Sequence, residues 1–439
     1  MRRMANMRET NNLLYGISDT PKTVKELLLY GLQNMLSILT ATILISTICG
    51  TNIAAGLVAG GMATVTFLCL TGFKVPLFFS NSGATVSAVL GALALSSSVE
   101  ENCTAVVLGG ATICLMNFIL SRIIKQFGAQ WIKKIFPDIL VGTIILAIGI
   151  NLMGFIPTYL QINGAYSLVG IGFGLLTMFI TALLNHYGKG LIPTLSFLLG
   201  LTIVYALVIL ISVTGIYPLV DMSQFHITGL FSMPDFSFLH LNFKTFNWAL
   251  LPQIMILFTC VNVGAVVESL GDILTCSQIT HTDLIGTVGV HKTMAADGVA
   301  DLVGCLIGSQ PTTTYGESLA TIAVSRVAST RVILTAAIMT ILLGFIQPFN
   351  VAIVNMPSFL FGGISILAYS YISLSGIKVL AHNNIDFDNS KNMIIFAVSL
   401  ALSVCGLSIN LGTLSLSGVS IGVIVGILMN VILKDKEEK

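Results

Sequence analysis

Three acidic residues stand in stretches whose other members are apolar. Glu268 and Asp272 fall in PQIMILFTCVNVGAVVESLGDIL, from Pro252 to Leu274, and Glu317 falls in GSQPTTTYGESLATIAV. At helical spacing Glu268 and Asp272 lie one turn apart on one face. A carboxylate at bilayer depth costs roughly 2.5–3.5 kcal/mol, so it persists where it faces a cavity, a partner or a passing ligand. Such a group can accept two N–H bonds from a ligand, or take up a proton on one side and release it on the other. Two acidic positions in two apolar segments, one of them interrupted by Pro311, three threonines and Gly316, point to a transporter's binding site. The plainer alternatives are a carboxyl bonded between helices for Glu268 and a helix brace or cap for Asp272. Asp297 and Asp301, at the start of an apolar segment beside Gly298, read as capping or bracing groups.

The elements that must position these groups are membrane helices. The chain has 439 residues, 55% hydrophobic and 9% charged, with a mean hydropathy of +0.94. Soluble proteins carry about 25% charged residues, so composition places this chain among polytopic membrane proteins. Hydrophobic windows fall at 26–49, 52–71, 75–97, 103–124, 136–156, 165–185 and 190–216 in the first half. The second half has them at 248–276, 292–308, 310–327, 331–352, 354–380, 391–407 and 414–433. The third and tenth open with polar runs, FFSNSGAT and SQPTTTYG. The polar N-terminus has no apolar core of a cleavable signal peptide. Net charge of +1, with no basic and aromatic interleaving, gives no reason to expect a nucleic-acid partner. The eight cysteines are dispersed without C-x-x-C spacing and read as packing residues. The six histidines fall near segment ends with no metal-ligand spacing, and neither a metal nor a cofactor is expected.

Charge sets the orientation. With the N-terminus inside, every Lys and Arg except Lys244 falls on a cytoplasmic tail or connection. The positive-inside rule then gives fourteen spans with both ends cytoplasmic, in the plasma membrane. Fourteen divides into two sevens, and an odd repeat inserts its copies upside down relative to each other. Interrupted segments standing third in each half mark a midplane site between inverted repeats. The fold class expected is an all-α polytopic membrane protein of two inverted seven-span repeats, with spans three and ten broken by short β-strands. Residues 217–247 form the extracellular connection between the halves.

Gln310 to Thr314 is β-branched beside a proline and should be extended, with helical period from Tyr315 on. Phe78 to Ser82 could supply a partner strand, as backbone at membrane depth requires. The two half-helices would then present positive dipole ends to the midplane. Gly83 and Gly316 would let a ligand come close to the backbone.

The run DGVADLVGCLIGSQPTTTYGESLATIAVSRVASTR resembles the ninth and tenth spans of the nucleobase–ascorbate transporters, the nucleobase:cation symporter-2 family. It is most similar to that family's bacterial uracil permeases through Thr313-Thr314-Tyr315-Gly316-Glu317. GLQNMLSILTATIL, NVGAVVESLGDI and GGISILAYSYISLSGIKVL resemble the first, eighth and twelfth spans, in the same order. The resemblance implies a core domain at 26–127 and 248–352 moving against a gate domain at 131–216 and 353–433. The tails at 1–25 and 434–439 lie outside both. It implies a nucleobase held by Glu268 and Glu317, with Tyr315, Gly316, Gly83, Ala84 and Tyr369 lining the site. Glu268 and Asp272, two neighbouring carboxyls on one helix face, resist ionising together, so proton coupling through them is expected. A homodimer through the gate domain is also expected.

The sequence departs from the uracil permeases at three places. Asp272 replaces a histidine, as in purine permeases; Gln33-Asn34 replaces a Gln-His pair; and Gly83 replaces a phenylalanine. Purine permeases in turn carry glutamine where Glu317 stands. Uracil is therefore the first substrate expected, with xanthine or uric acid the alternative. Thr312 to Thr314 offer hydroxyls that keep sodium open as coupling ion. An anion transporter of the same architecture would want a positive residue at the half-helix ends instead of Glu268 and Glu317. No enzyme is expected: Gly271-Asp272 lacks the second half of an intramembrane aspartyl protease motif, and H-E-x-x-H is absent.

Overall fold

The computed structural model describes residues 13–96, 98–127, 137–162, 164–189, 192–193, 195–215, 217–382, 385–407, 409–411, 414–416 and 418–433. The tail expected at 434–439 and the first twelve residues lie outside them. Each of the fourteen expected segments holds a helix. In order these are α1 (Val24–Cys49), α2 (Ile53–Leu70), α3 (Val86–Leu95), α4 (Val99–Phe127), α5 (Asp138–Met153), α6 (Leu168–Tyr187) and α7 (Ser196–Val213). The second half contributes α8 (Leu251–Thr280), α9 (Val290–Gly308), α10 (Gly316–Ser325), α11 (Thr330–Gly344), α12 (Ser358–His382), α13 (Ser390–Val404) and α14 (Gly418–Ile432). Among the described residues, 8 helices are long and apolar enough to cross a membrane by length and composition.

Among the described residues there are also six short strands: β1 (Phe79–Asn81), β2 (Gln161–Ile162), β3 (Ala165–Tyr166), β4 (Thr312–Thr314), β5 (Ile409–Leu411) and β6 (Leu414–Leu416). β2–β3 and β5–β6 are local hairpins. β1 and β4 come from opposite halves and pair antiparallel, with Phe79 facing Thr314, Ser80 facing Thr313 and Asn81 facing Thr312. The Tyr315 N–H donates to Phe78 O (3.1 Å) and the Ser82 N–H to Pro311 O (2.9 Å), extending the ladder at both ends. The strand pairing satisfies backbone groups that neither half could satisfy alone at this depth. Long, long, strand plus half-helix, long: this order of elements occurs once in each half, and the antiparallel strand pair reflects the inversion of the repeats.

The helices pack as two groups. α1, α2, α4, α9 and α11 pack on one another, with α8 against α4 and both half-helices, α3 and α10, enclosed among them. α5, α12 and α13 form the second group with α6, α7 and α14. Small residues let the first group close on the strands. A Cβ on Gly56 of α2 would sit 2.8 Å from the Asn81 amide nitrogen, and one on Gly304 of α9 would sit 2.8 Å from Gln310 O. Any larger residue would push either helix off the strand crossing.

The connection at 217–247 is laid over the ends of the first group. Phe236 is buried against Ala55, Val58 and Phe345, Ser237 hydrogen-bonds Ser309, and the Asn242 N–H donates to Thr104 Oγ1 (3.1 Å). Its other end is tied to α7, where Ser212 Oγ accepts from the Leu219 and Val220 N–H groups. At the opposite face residues 13–22 hook onto the α10–α11 connection: the Ala328 N–H donates to Tyr15 O, and Tyr15 Oη donates to Glu26 (2.6 Å). Of the eight cysteines, which are all free, six are buried.

Candidate ligand-binding site

α3 and α10 each have 10 residues. At 1.5 Å per residue that is about 15 Å, half of a hydrocarbon core roughly 30 Å thick. The two half-helices therefore begin near mid-depth, one on each side of the β1–β4 crossing. Neither start carries a side-chain cap: Thr85 and Tyr315 stand at the N-cap positions without bonding an amide. The positive ends of both helices thus remain available to an acceptor on a ligand.

The crossing is held by side chains from α1 and α2. Thr42 hydrogen-bonds Ser80, Asn81 Nδ2 donates to Ser46 Oγ (2.8 Å), and Thr64 Oγ1 accepts from the Phe79 N–H (2.9 Å). Ser318, in the first turn of α10, donates to Asn34 Oδ1 (3.2 Å). These bonds give the broken spans a rigid base.

Around that base the acidic residues gather. The Glu268 carboxyl lies within electrostatic reach of Asp272, Glu317 and Asp297. Glu268, Gly316 and Glu317 are exposed although protein surrounds them, so they line a cleft rather than fill a core. Asp272 is half-buried and accepts from Thr314 Oγ1 (2.6 Å), which joins α8 to β4. Asp297 and Asp301 are buried in the body of α9, which begins at Val290, so helix capping is not their role. Asp301 sits beside the Thr312 backbone and Asp297 beside Ser269, where α9 meets β4 and α8.

The cleft has a direction. In α8 the residues from Cys260 to Val266 are all buried, whereas Glu268, Gly271, Leu274, Thr275 and Gln278 are exposed. In α10 exposure runs from Gly316 and Glu317 to Ala320, Ala323 and Val324. α12 changes at the same level: Phe359 to Ser365 are buried, Tyr369 is 1% exposed, and Ser370, Tyr371 and Leu374 are exposed. The site is thus sealed toward the N-terminal ends of α8 and α12 and open toward their C-terminal ends.

The expected lining residues do not all meet in one place. Gly316 is open, and a Cβ there would touch nothing within 4 Å. The Tyr315 ring is buried and its hydroxyl donates to Asn81 O (2.6 Å), so the ring serves the strand crossing. Gly83 and Ala84 are partly accessible at the other break, where a Cβ on Gly83 would lie 3.6 Å from Ile372 and 3.7 Å from Ile45. Tyr369 packs on the sealed side, near Tyr159 and Cys49. Two contacts escaped the sequence reading, the Thr314–Asp272 bond and the approach of Ile372 to Gly83. For the first, the only signal was that three consecutive threonines alternate across a strand, which puts hydroxyls on both faces without naming a partner. For the second there was none.

Residues 25–412 match the model of a permease family. The chain belongs to that family. It is 28% identical over 432 residues to the uracil permease of Bacillus caldolyticus, covering 98% of this chain and 96% of that one. It is 29% identical over 431 residues to the uracil permease of Escherichia coli strain K12, covering 95% and 94%. Among solved structures, this permease resembles SLC26A9 with a TM-score of 0.66 at 13% identity, over 93% of this chain and 66% of that one. The transmembrane domain of the cyanobacterial bicarbonate transporter BicA matches with a TM-score of 0.62 at 14% identity, over 94% and 99%. These likenesses carry the two-inverted-repeat fold and nothing about cargo.

Proposed function

We propose that the protein is a proton-coupled nucleobase symporter that imports uracil. The observation that carries this reading is the pair of exposed carboxyls, Glu268 and Glu317, converging at mid-depth beside an uncapped half-helix start. Uracil offers lactam N–H donors beside carbonyl acceptors. A carboxylate accepts the former, and free amides at the half-helix end donate to the latter. Likeness to the uracil permeases over nearly the whole chain supports the same substrate class.

In this reading the first helix group is the core that carries the site and the second is the gate, with Tyr369 in the gate facing the pocket when it closes. The C-terminal ends of α8, α10 and α12 are cytoplasmic by the positive-inside rule, so the open cleft faces inward. Glu268 and Asp272, two carboxyls one turn apart, resist ionising together, so one of them is the natural proton carrier. A second reading within the same class is a xanthine or uric acid permease, favoured by Asp272 and by the missing side chain at Gly83.

Uptake of radiolabelled uracil and xanthine into proteoliposomes, with and without an imposed pH gradient, tests both. Uracil uptake should peak in mildly acidic external medium and collapse when a protonophore is added. Transport that ignores the protonophore and follows a sodium gradient would assign the coupling ion to sodium and leave the nucleobase site standing. Failure of excess uracil to be taken up, or to compete with any purine, removes the uracil assignment.

A further inference from the structure

Thr312, Thr313 and Thr314 are consecutive in β4, and their side chains alternate between its faces. Their hydroxyls meet three different fates. Thr312 Oγ1 donates to Ala300 O of α9 (3.0 Å), and Thr313 Oγ1 is buried without a partner among the described residues. Thr314 Oγ1 donates to Asp272 Oδ2 at 2.6 Å, the length of a bond between a hydroxyl and a carboxylate. Thr314 is 1% exposed, and its pairing with Phe79 fixes the strand register. A β-branched side chain in that setting has little rotamer freedom, so its hydroxyl is aimed before any ligand arrives.

We propose that Thr314 is a positioning residue for Asp272: its hydroxyl ties that carboxyl to β4, leaving Glu268, one turn away, free to take the ligand. The inference rests on the nucleobase site proposed above and divides the labour within it. No hydrogen bond holds the Glu268 side chain among the described residues, and that side chain is exposed to the cleft, whereas Asp272 is half-buried and engaged. The other ionisable groups facing Asp272 are Glu317 from α10 and Asp297 from α9, with Glu268 and the Cys276 thiol from its own helix. Thr314 is the neutral donor that anchors Asp272 within this acidic company. Without it, Asp272 would be free to turn toward the ligand-binding carboxyls and compete with Glu268 for the proton.

The test is a double-mutant cycle with two readouts, uracil uptake across external pH and the melting temperature of the purified protein. Thr314→Val should raise KM by roughly tenfold or more and displace the pH profile, while Thr314→Ser restores the wild-type profile. In an Asp272→Ala background, Thr314→Val should change uptake by no more than about twofold, since the partner is already gone. An equal loss in both backgrounds, or a Thr314→Val profile superimposable on wild type, overturns the inference. If Thr314→Val does not fold, Thr314→Cys, which keeps the size and weakens the donor, goes through the same cycle. The melting cycle needs no substrate. A wild-type protein that takes up no nucleobase would therefore remove the proposed function, while additive melting shifts would remove the Thr314–Asp272 coupling alone.

Discussion

The third and tenth spans are broken by the same device and equipped differently. Each has a three-residue strand, a glycine and a ten-residue half-helix. At the tenth break Gly316 is open to the cleft and followed by Glu317, with Asp272 tied to the strand through Thr314. At the third break no charge is present, and Gly83 is approached by Ile45 from α1 and Ile372 from α12. Both halves supply a helix dipole and a strand. The tenth also brings carboxyls beside the strand, whereas Gly83 at the third lies near apolar side chains of α1 and α12. Backbone symmetry at mid-depth therefore does not entail chemical symmetry: carboxyls stand at one break and apolar side chains at the other.

The largest effect is expected from removing the carboxylate that faces the tenth break. Glu268→Gln should abolish coupled uracil uptake while leaving the folded protein in the membrane, because an amide can neither cycle a proton nor offer two equivalent acceptors. Wild-type uptake by Glu268→Gln would end the assignment of that side chain to the ligand. Glu317→Gln should be milder, weakening uracil by roughly tenfold and moving preference toward xanthine, since an amide both donates and accepts. Unchanged affinities for both bases would show that Glu317 does not face the ligand.

Substitutions at the two glycines bear most directly on the inequality of the breaks, and the smallest effect is expected at Gly83. Gly316→Leu projects into open space, so melting temperature should hold while uracil KM rises by roughly tenfold. Gly83→Ala adds a methyl at ordinary contact distance from Ile372 and Ile45 and should alter KM by no more than about threefold. If Gly83→Ala proved the more damaging of the two, the division of labour between the breaks would have to be reversed.

Much of this was legible in the residue order, for identifiable reasons. Apolar runs of bilayer length marked the fourteen segments, because lipid forces each spanning stretch to satisfy its own backbone. The polar entries at 78–85 and 309–316 marked the two breaks, since hydroxyls and glycines at that depth have no use in a plain lipid-facing helix. Glu268 and Glu317 stood out through the cost of placing a charge there. The roles of neighbours were harder to read. Tyr315 looked free to line the site by its ring, yet that ring reaches back to the Asn81 carbonyl, 234 residues away in sequence. Asp297 and Asp301 read as caps or braces, and only the structure removes the first, because α9 begins seven residues before Asp297 and places both in its body.

What the sequence determined by itself was the set of elements and the kind of chemistry: apolar length, charge bias and stranded carboxylates are local properties, written where they act. What only the tertiary structure decided was which of those groups are engaged and which are free. The Thr314 hydroxyl reaches Asp272 because an antiparallel pairing with Phe79 fixes its height and facing, and Ile372 of α12 comes near Gly83 at the third break. The Gly83–Ile372 approach joins opposite halves of the chain and the Thr314–Asp272 bond spans 42 residues, and the geometry of both is set by the packing of helices on a two-stranded crossing. No window of sequence contains both partners, so no local pattern could have stated the bond.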